Sequence, residues 1–97
     1  MSEQAKSLQA LRAEIDAIDG KIVALFAARM QIAADVAAYK RAAGIPVLDS
    51  AREKALLDRV TALSPTALTE ATRALYQKIL ALSRNYQQAL LDTAETE

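Results

Sequence analysis

A run of apolar residues at heptad spacing constrains this chain more than any other feature. Leu8, Leu11, Ile15, Ile18, Ile22, Leu25, Arg29, Ile32 and Val36 follow one another at alternating steps of three and four. A helix places such residues on one stripe, and the average period is that of a coiled-coil seam held for about four heptads. Gly20 falls on the opposite face, where it costs ~1 kcal/mol relative to Ala without breaking the helix. Ala42-Ala43-Gly44-Ile45-Pro46 supplies a stop signal, with Gly just past the end and Pro soon after. The predicted helix runs from about Ser7 to Ala42, and at ~1.5 Å per residue it is about 50 Å long. That exceeds the diameter of a globule of ~100 residues, and the chain has 97 residues. The rest of the chain is too short to cover the seam, so a second copy is expected along it.

The remaining sequence is equally helical. Hydrophobic residues are 53% of the chain, mostly Ala and Leu, with two Gly and two Pro to interrupt them. Ser50-Ala51-Arg52-Glu53 reads as a capping box opening a second helix over 50–63, with Leu56, Leu57, Val60 and Leu63 on its buried side. Ser64-Pro65 closes it, because a residue before proline is pushed out of the helical region. A third helix is predicted over about 69–91, with Leu68 as a hydrophobic staple and Leu75, Ile79, Leu82, Tyr86 and Leu90 as its seam. Residues 92–97 are polar and are expected to fray. The expected fold is all-α: one domain over 1–97, built from a long, a short and a medium helix, dimerising through antiparallel helices.

Charge and residue content exclude several functions. Twelve basic and twelve acidic residues give a formal net charge of zero, so neither a nucleic-acid partner nor a polybasic membrane contact is expected. There is no Cys and no His, which removes thiolate metal sites, the commonest metal ligand and the commonest general base. No metal or cofactor is expected. Met1-Ser2-Glu3-Gln4-Ala5-Lys6 has no apolar signal core, and no apolar run approaches ~18 residues, so no membrane span is expected. A cytoplasmic location is the expectation.

Arg29 is the residue that fits a plain bundle least. An unpaired buried guanidinium costs several kcal/mol, so a partner is expected. One reading is register control, in which a single polar seam residue fixes alignment and oligomer state. The other is a bundle hollowed at that level, with an anionic ligand as the partner. Pattern alone leaves both open. Arg12 and Lys40 flank the seam at equivalent heptad positions, and each alone is commonly a solvated charge. Arg12 and Arg29 are about 26 Å apart along one helix, too far to share a small ligand. Two copies packed antiparallel and crossing near residue 24 bring Arg12 of one level with residue 36 of the other, between Arg29 and Lys40. Symmetry then makes two equivalent three-cation pockets. Ser83 and Gln87 share a face of the third helix at i, i+4, a spacing also common on solvated faces. Arg52 and Glu53 have ordinary readings too, as a solvated charge and a capping residue.

Taken together these residues resemble the all-helical chorismate mutase family over nearly the whole chain, from about Leu8 to Leu91. The resemblance rests on Leu11-Arg12-x-x-Ile15-x-x-Ile18-Asp19, on the spacing of Arg29 and Lys40, on Pro46-Val47-Leu48-Asp49-Ser50-Ala51-Arg52-Glu53, and on Ser83 with Gln87-Gln88-Ala89-Leu90-Leu91. Each piece is weak alone; all of them in order are specific. Met30 and Leu82 depart from some relatives, which carry charged residues there.

The resemblance implies a stand-alone form of the enzyme, an intertwined homodimer with two active sites. Each site would convert chorismate to prephenate in aromatic amino-acid biosynthesis, by a pericyclic rearrangement that needs no cofactor. It implies that Arg12 of the partner subunit and Arg29 hold the substrate's two carboxylates. Lys40 would contact a carboxylate and the ether oxygen, and Gln87 would donate to that oxygen. Glu53 and the backbone near Asp49 would take the ring hydroxyl, while Arg52 and Ser83 support a carboxylate. Two sister activities share this pattern, isochorismate pyruvate-lyase and 4-amino-4-deoxychorismate mutase. The Asp49-x-x-Arg52-Glu53 motif favours a mutase over the lyase. A non-catalytic helical dimerisation module explains the seam and Arg29, but not Lys40, Gln87 and the loop motif together. Docking to another shikimate-pathway enzyme is not legible in the sequence.

Overall fold

A computed structural model describes residues 5–96 of the chain, with side chains over 5–93. The described residues are helical throughout, apart from short connections: α1 over Leu8–Ala43, α2 over Ser50–Leu63, a single 3-10 turn over Thr66–Leu68, and α3 over Thr69–Thr96. The order is long, short, medium, as expected. The chain divides into two units, Met1–Gln31 and Ile32–Glu97.

In the first unit the heptad stripe lies open within the single chain. Leu8, Ile15, Ile22 and Leu25 are 61, 55, 57 and 70% exposed. Ser7 caps the helix: its hydroxyl accepts from the Ala10 N–H at 3.0 Å, and its carbonyl accepts from the Leu11 N–H at 3.0 Å. A Cβ built on Gly20 meets nothing within 4 Å, as the outer-face assignment requires.

The expectation about membrane spans needs amending. By length and average composition α1 is apolar enough to cross a membrane, with an 18-residue window of mean hydropathy 1.4. No unbroken apolar run in α1 is that long. An average admits α1 because its many alanines outweigh a few charges. The heptad stripe interrupted by Arg29 is what a helix packing against other helices also requires.

In the second unit α1 ends at Gly44, which takes φ +70°. The Ile45 N–H reaches back to the Lys40 carbonyl at 2.8 Å, and the Gly44 N–H to that of Arg41 at 3.3 Å. This paired arrangement satisfies carbonyls that the helix end leaves open, and only glycine takes the left-handed turn cheaply. Ser64 closes α2 in extended backbone, φ −81° and ψ 152°, as the following Pro65 demands.

Leu56, Val60 and Leu80 form the buried cluster between α2 and α3, with Leu57 and Tyr76 packed against it. Ala33 and Ala37, one turn apart on α1, are buried as well. The buried face of α3 runs through Tyr76, Leu80, Ser83 and Gln87, one residue on from the expected seam. Leu75, Leu82, Tyr86 and Leu90 are exposed in the single chain, as is Leu63 of α2. Periodicity finds both α3 stripes, because they are adjacent on the helix surface. It does not say which one the chain itself covers.

One further expectation is corrected. The α2 N-cap is Asp49, whose Oδ1 accepts the Arg52 N–H at 3.0 Å. Ser50 is therefore the first helical residue and not the cap. A carboxylate is as good a cap as a hydroxyl and adds a favourable charge at the helix start. Helix α3 runs on through the polar tail to Thr96, with Gln88 donating to Asp92 at 3.0 Å and Thr93 to the Ala89 carbonyl at 3.0 Å. These bonds within the helix offset the lack of apolar anchors there. Glu97 lies outside the described residues.

Candidate functional site

Arg12 and Arg29 belong to the first unit, and the other expected site residues to the second. Arg12 is exposed and Arg29 half-buried. Among the described residues neither has a hydrogen-bond or ion-pair partner. Both guanidiniums keep their full donor set for a ligand or a second chain.

Lys40 stands in the last turn of α1, half-buried. The left-handed Gly44 reverses the chain there, and Lys40 Nζ donates to the Val47 carbonyl at 2.8 Å. An ammonium has three donors. The loop holds one and fixes the side chain, and two remain. Lys40 is thus set by the same turn that ends its helix.

The loop leads into Asp49, whose side chain is used as the α2 cap. Arg52 follows, exposed. Glu53 points the other way, half-buried, and its Oε1 takes an ion pair from Arg84 Nη1 on α3 at 2.5 Å. The expected capping role of Glu53 therefore gives way to a tie between helices. Arg84 carried no sequence signal: it lies 31 residues from Glu53, and no helical spacing links residues on different helices.

Ser83 and Gln87 are 6 and 8% exposed, so the solvated-face reading of their spacing is excluded. Gln87 Nε2 donates to Ser83 Oγ at 3.0 Å, while Gln87 Oε1 is buried with no partner. An orphaned buried acceptor costs about 1–3 kcal/mol. With the amide turned by half a rotation, the Ser83 hydroxyl donates to Oε1 and both N–H groups of Gln87 become free donors. In either sense the pair holds unused, buried hydrogen-bonding capacity, which is what a polar ligand would complete.

Away from these residues, the Asp58 carboxyl is held below its usual range, first by the hydrogen bond from Lys54 and then by that residue's charge. The pair is a solvent-exposed i, i+4 bridge at 2.9 Å, a helix-surface contact and not part of a site. No group of three or more Asp and Glu side chains suited to a metal occurs among the described residues.

The second unit buries an amide–hydroxyl pair and holds a lysine by its loop, and the first carries two arginines without a partner among the described residues; all are donors of the kind an anionic ligand uses. Comparison with known proteins makes this specific. Residues 11–88 match the family model described as chorismate mutase type II, and the chain belongs to that family. It is 45% identical over 58 residues to a chorismate mutase of Methanocaldococcus jannaschii, covering 60% of this chain and 59% of that protein. It is 41% identical over 87 residues to the bifunctional chorismate mutase/prephenate dehydratase of Escherichia coli, covering 87% of this chain and 22% of that protein. A 4-amino-4-deoxychorismate mutase of Streptomyces venezuelae is 37% identical over 59 residues, 61% of this chain and 56% of that one. The match thus spans less than two thirds of each of these relatives. Among solved structures, a conserved hypothetical protein from Pyrococcus furiosus superposes with a TM-score of 0.71 at 31% identity, covering 87% of this chain and 99% of that one.

Proposed function

We propose that the protein is a chorismate mutase, converting chorismate to prephenate by Claisen rearrangement in the cytoplasm, as a homodimer with two shared sites. The observation that carries the reading is the buried Gln87 amide, with Ser83 beside it and hydrogen-bonding capacity unused. This reaction needs no proton transfer and no nucleophile. It needs one compact substrate conformer and stabilisation of negative charge on the ether oxygen as the C–O bond breaks. A chain without His or Cys loses nothing by that.

In this reading Arg29 and Arg12 of the partner subunit each hold one carboxylate, a task suited to the planar guanidinium fork. Lys40 directs a remaining ammonium donor, and Gln87 an amide N–H, to the ether oxygen. Both bonds strengthen as charge develops, and only such bonds accelerate the chemistry. Asp49 is occupied as a cap, so its part is to fix the loop backbone; Glu53 meets the ring hydroxyl, and Arg52 and Ser83 support a carboxylate. The exposed α1 stripe supports the dimer, since so many apolar side chains in a row call for a covering surface. The purified protein with chorismate, isochorismate and 4-amino-4-deoxychorismate in parallel, products identified by NMR, tests the proposal. Prephenate from chorismate is expected. Pyruvate from isochorismate moves the chain to the lyase. Failure to turn over any of the three, and to bind a dicarboxylate transition-state mimic, makes it a dimerisation module.

A further inference from the structure

Glu53 is already engaged by a cation of the same chain. Arg84 Nη1 meets its Oε1 at 2.5 Å, with side-chain exposures of 36% for Arg84 and 21% for Glu53. At that burial the pair is less screened than a surface bridge. The guanidinium fork is rigid, so Oε1 is fixed by it, and Oε2 is the carboxylate oxygen with no partner among the described residues. The charge of the carboxylate is also largely balanced before any ligand arrives.

We infer that Arg84 is a specificity-determining positioning residue: by holding and neutralising Glu53, it makes the site accept a neutral ring hydroxyl and reject a ring ammonium. The inference rests on the proposed mutase reading, in which Glu53 faces the ring substituent. Chorismate offers a hydroxyl there, for which one free carboxylate oxygen is enough. The amino analogue offers a primary amine, which is protonated near neutral pH. A bare glutamate would attract that ammonium strongly; a glutamate already paired with arginine is largely neutralised and favours the ammonium much less over the neutral hydroxyl. The chain resembles proteins of both specificities, and this ion pair supplies a physical reason for one of them.

The test measures kcat/KM for chorismate and for 4-amino-4-deoxychorismate in the wild-type protein, Arg84→Met, Arg84→Gln and Arg84→Lys. The wild type should prefer chorismate. Arg84→Met should shift the ratio toward the amine by roughly 10–100-fold, as expected for loss of one close charge. Arg84→Gln keeps a donor for Glu53 without the charge and should shift the ratio the same way, so it carries the test if the Met variant does not fold. Arg84→Lys should stay within a few fold of wild type. In the wild type, activity on the amine should rise with pH as the ammonium deprotonates, and this rise should flatten in Arg84→Gln. Parallel losses on both substrates, with the ratio and the pH profile unchanged, give Arg84 a purely structural role and overturn the inference alone. A wild type that prefers the amine also overturns it, and one that turns over neither substrate overturns the mutase reading itself.

Discussion

Gln87→Glu replaces a neutral donor with a group of the same shape that donates only when protonated. Gln87 is 8% exposed, so the new carboxyl enters a site where burial disfavours its charge. That raises its titration above the ordinary glutamate value of about 4.3. Below the raised value the variant keeps a donor for the ether oxygen. Above it the donating fraction falls tenfold per pH unit, about 1.4 kcal/mol each. The floor is the loss of one donor to a developing oxyanion, about 100–1,000-fold in kcat. Stability follows the same sign. The folded-state value is raised above the unfolded one, so any stabilisation from the protonated group is complete below about pH 4.3 and disappears as pH rises through the folded value. The assay is chorismate loss by absorbance from about pH 4.5 to 8.5, where bell or plateau shapes report the groups involved. The wild type should be nearly flat on the acid side, and the variant most active there. Parallel profiles for the two proteins would refute the role given to Gln87.

Other expectations concern the scaffold. Leu56→Ala empties a position only 5% exposed between α2 and α3 and should cost about 2–5 kcal/mol by denaturant titration; a loss under ~1 kcal/mol would mean the cluster is not the core of that unit. The two glycines should respond oppositely to alanine. Gly20→Ala meets open space and should add ~1 kcal/mol, whereas Gly44→Ala must hold φ +70° and should cost about 1–2 kcal/mol. Midpoints compared at equal protein concentration decide both.

Helix number, type and most boundaries were legible because this chain is built from strong helix formers punctuated by two Pro and two Gly. Gly44 and Pro65 end helices by backbone geometry alone, which sequence carries directly. The α2 cap was misassigned because Asp49 and Ser50 are both good caps and adjacent; backbone angles decide, and those are set by how the loop closes from Gly44. The stripe of α3 that the single chain covers, 76/80/83/87, lies one residue on from the 75/79/82/86 seam, and periodicity does not choose between stripes a third of a turn or less apart. Ser83 and Gln87 were legible as a pair but not as buried. Arg84 was not legible at all, since its partner is on another helix and only folding joins them. Arg29 stands out in the sequence as an anomaly, and it has no partner among the described residues of its own chain.

That missing partner points to the most direct test. In the proposed dimer each anion pocket would take Arg12 from one copy and Arg29 and Lys40 from the other. Arg12→Ala and Lys40→Ala are each expected to be nearly inactive alone. Unfolded and refolded together, half the dimers are mixed, and each mixed dimer has one pocket with both cations intact. The mixture should recover about a quarter of wild-type activity. Activity no higher than that of either variant alone would mean that Arg12 does not act across an interface between two copies.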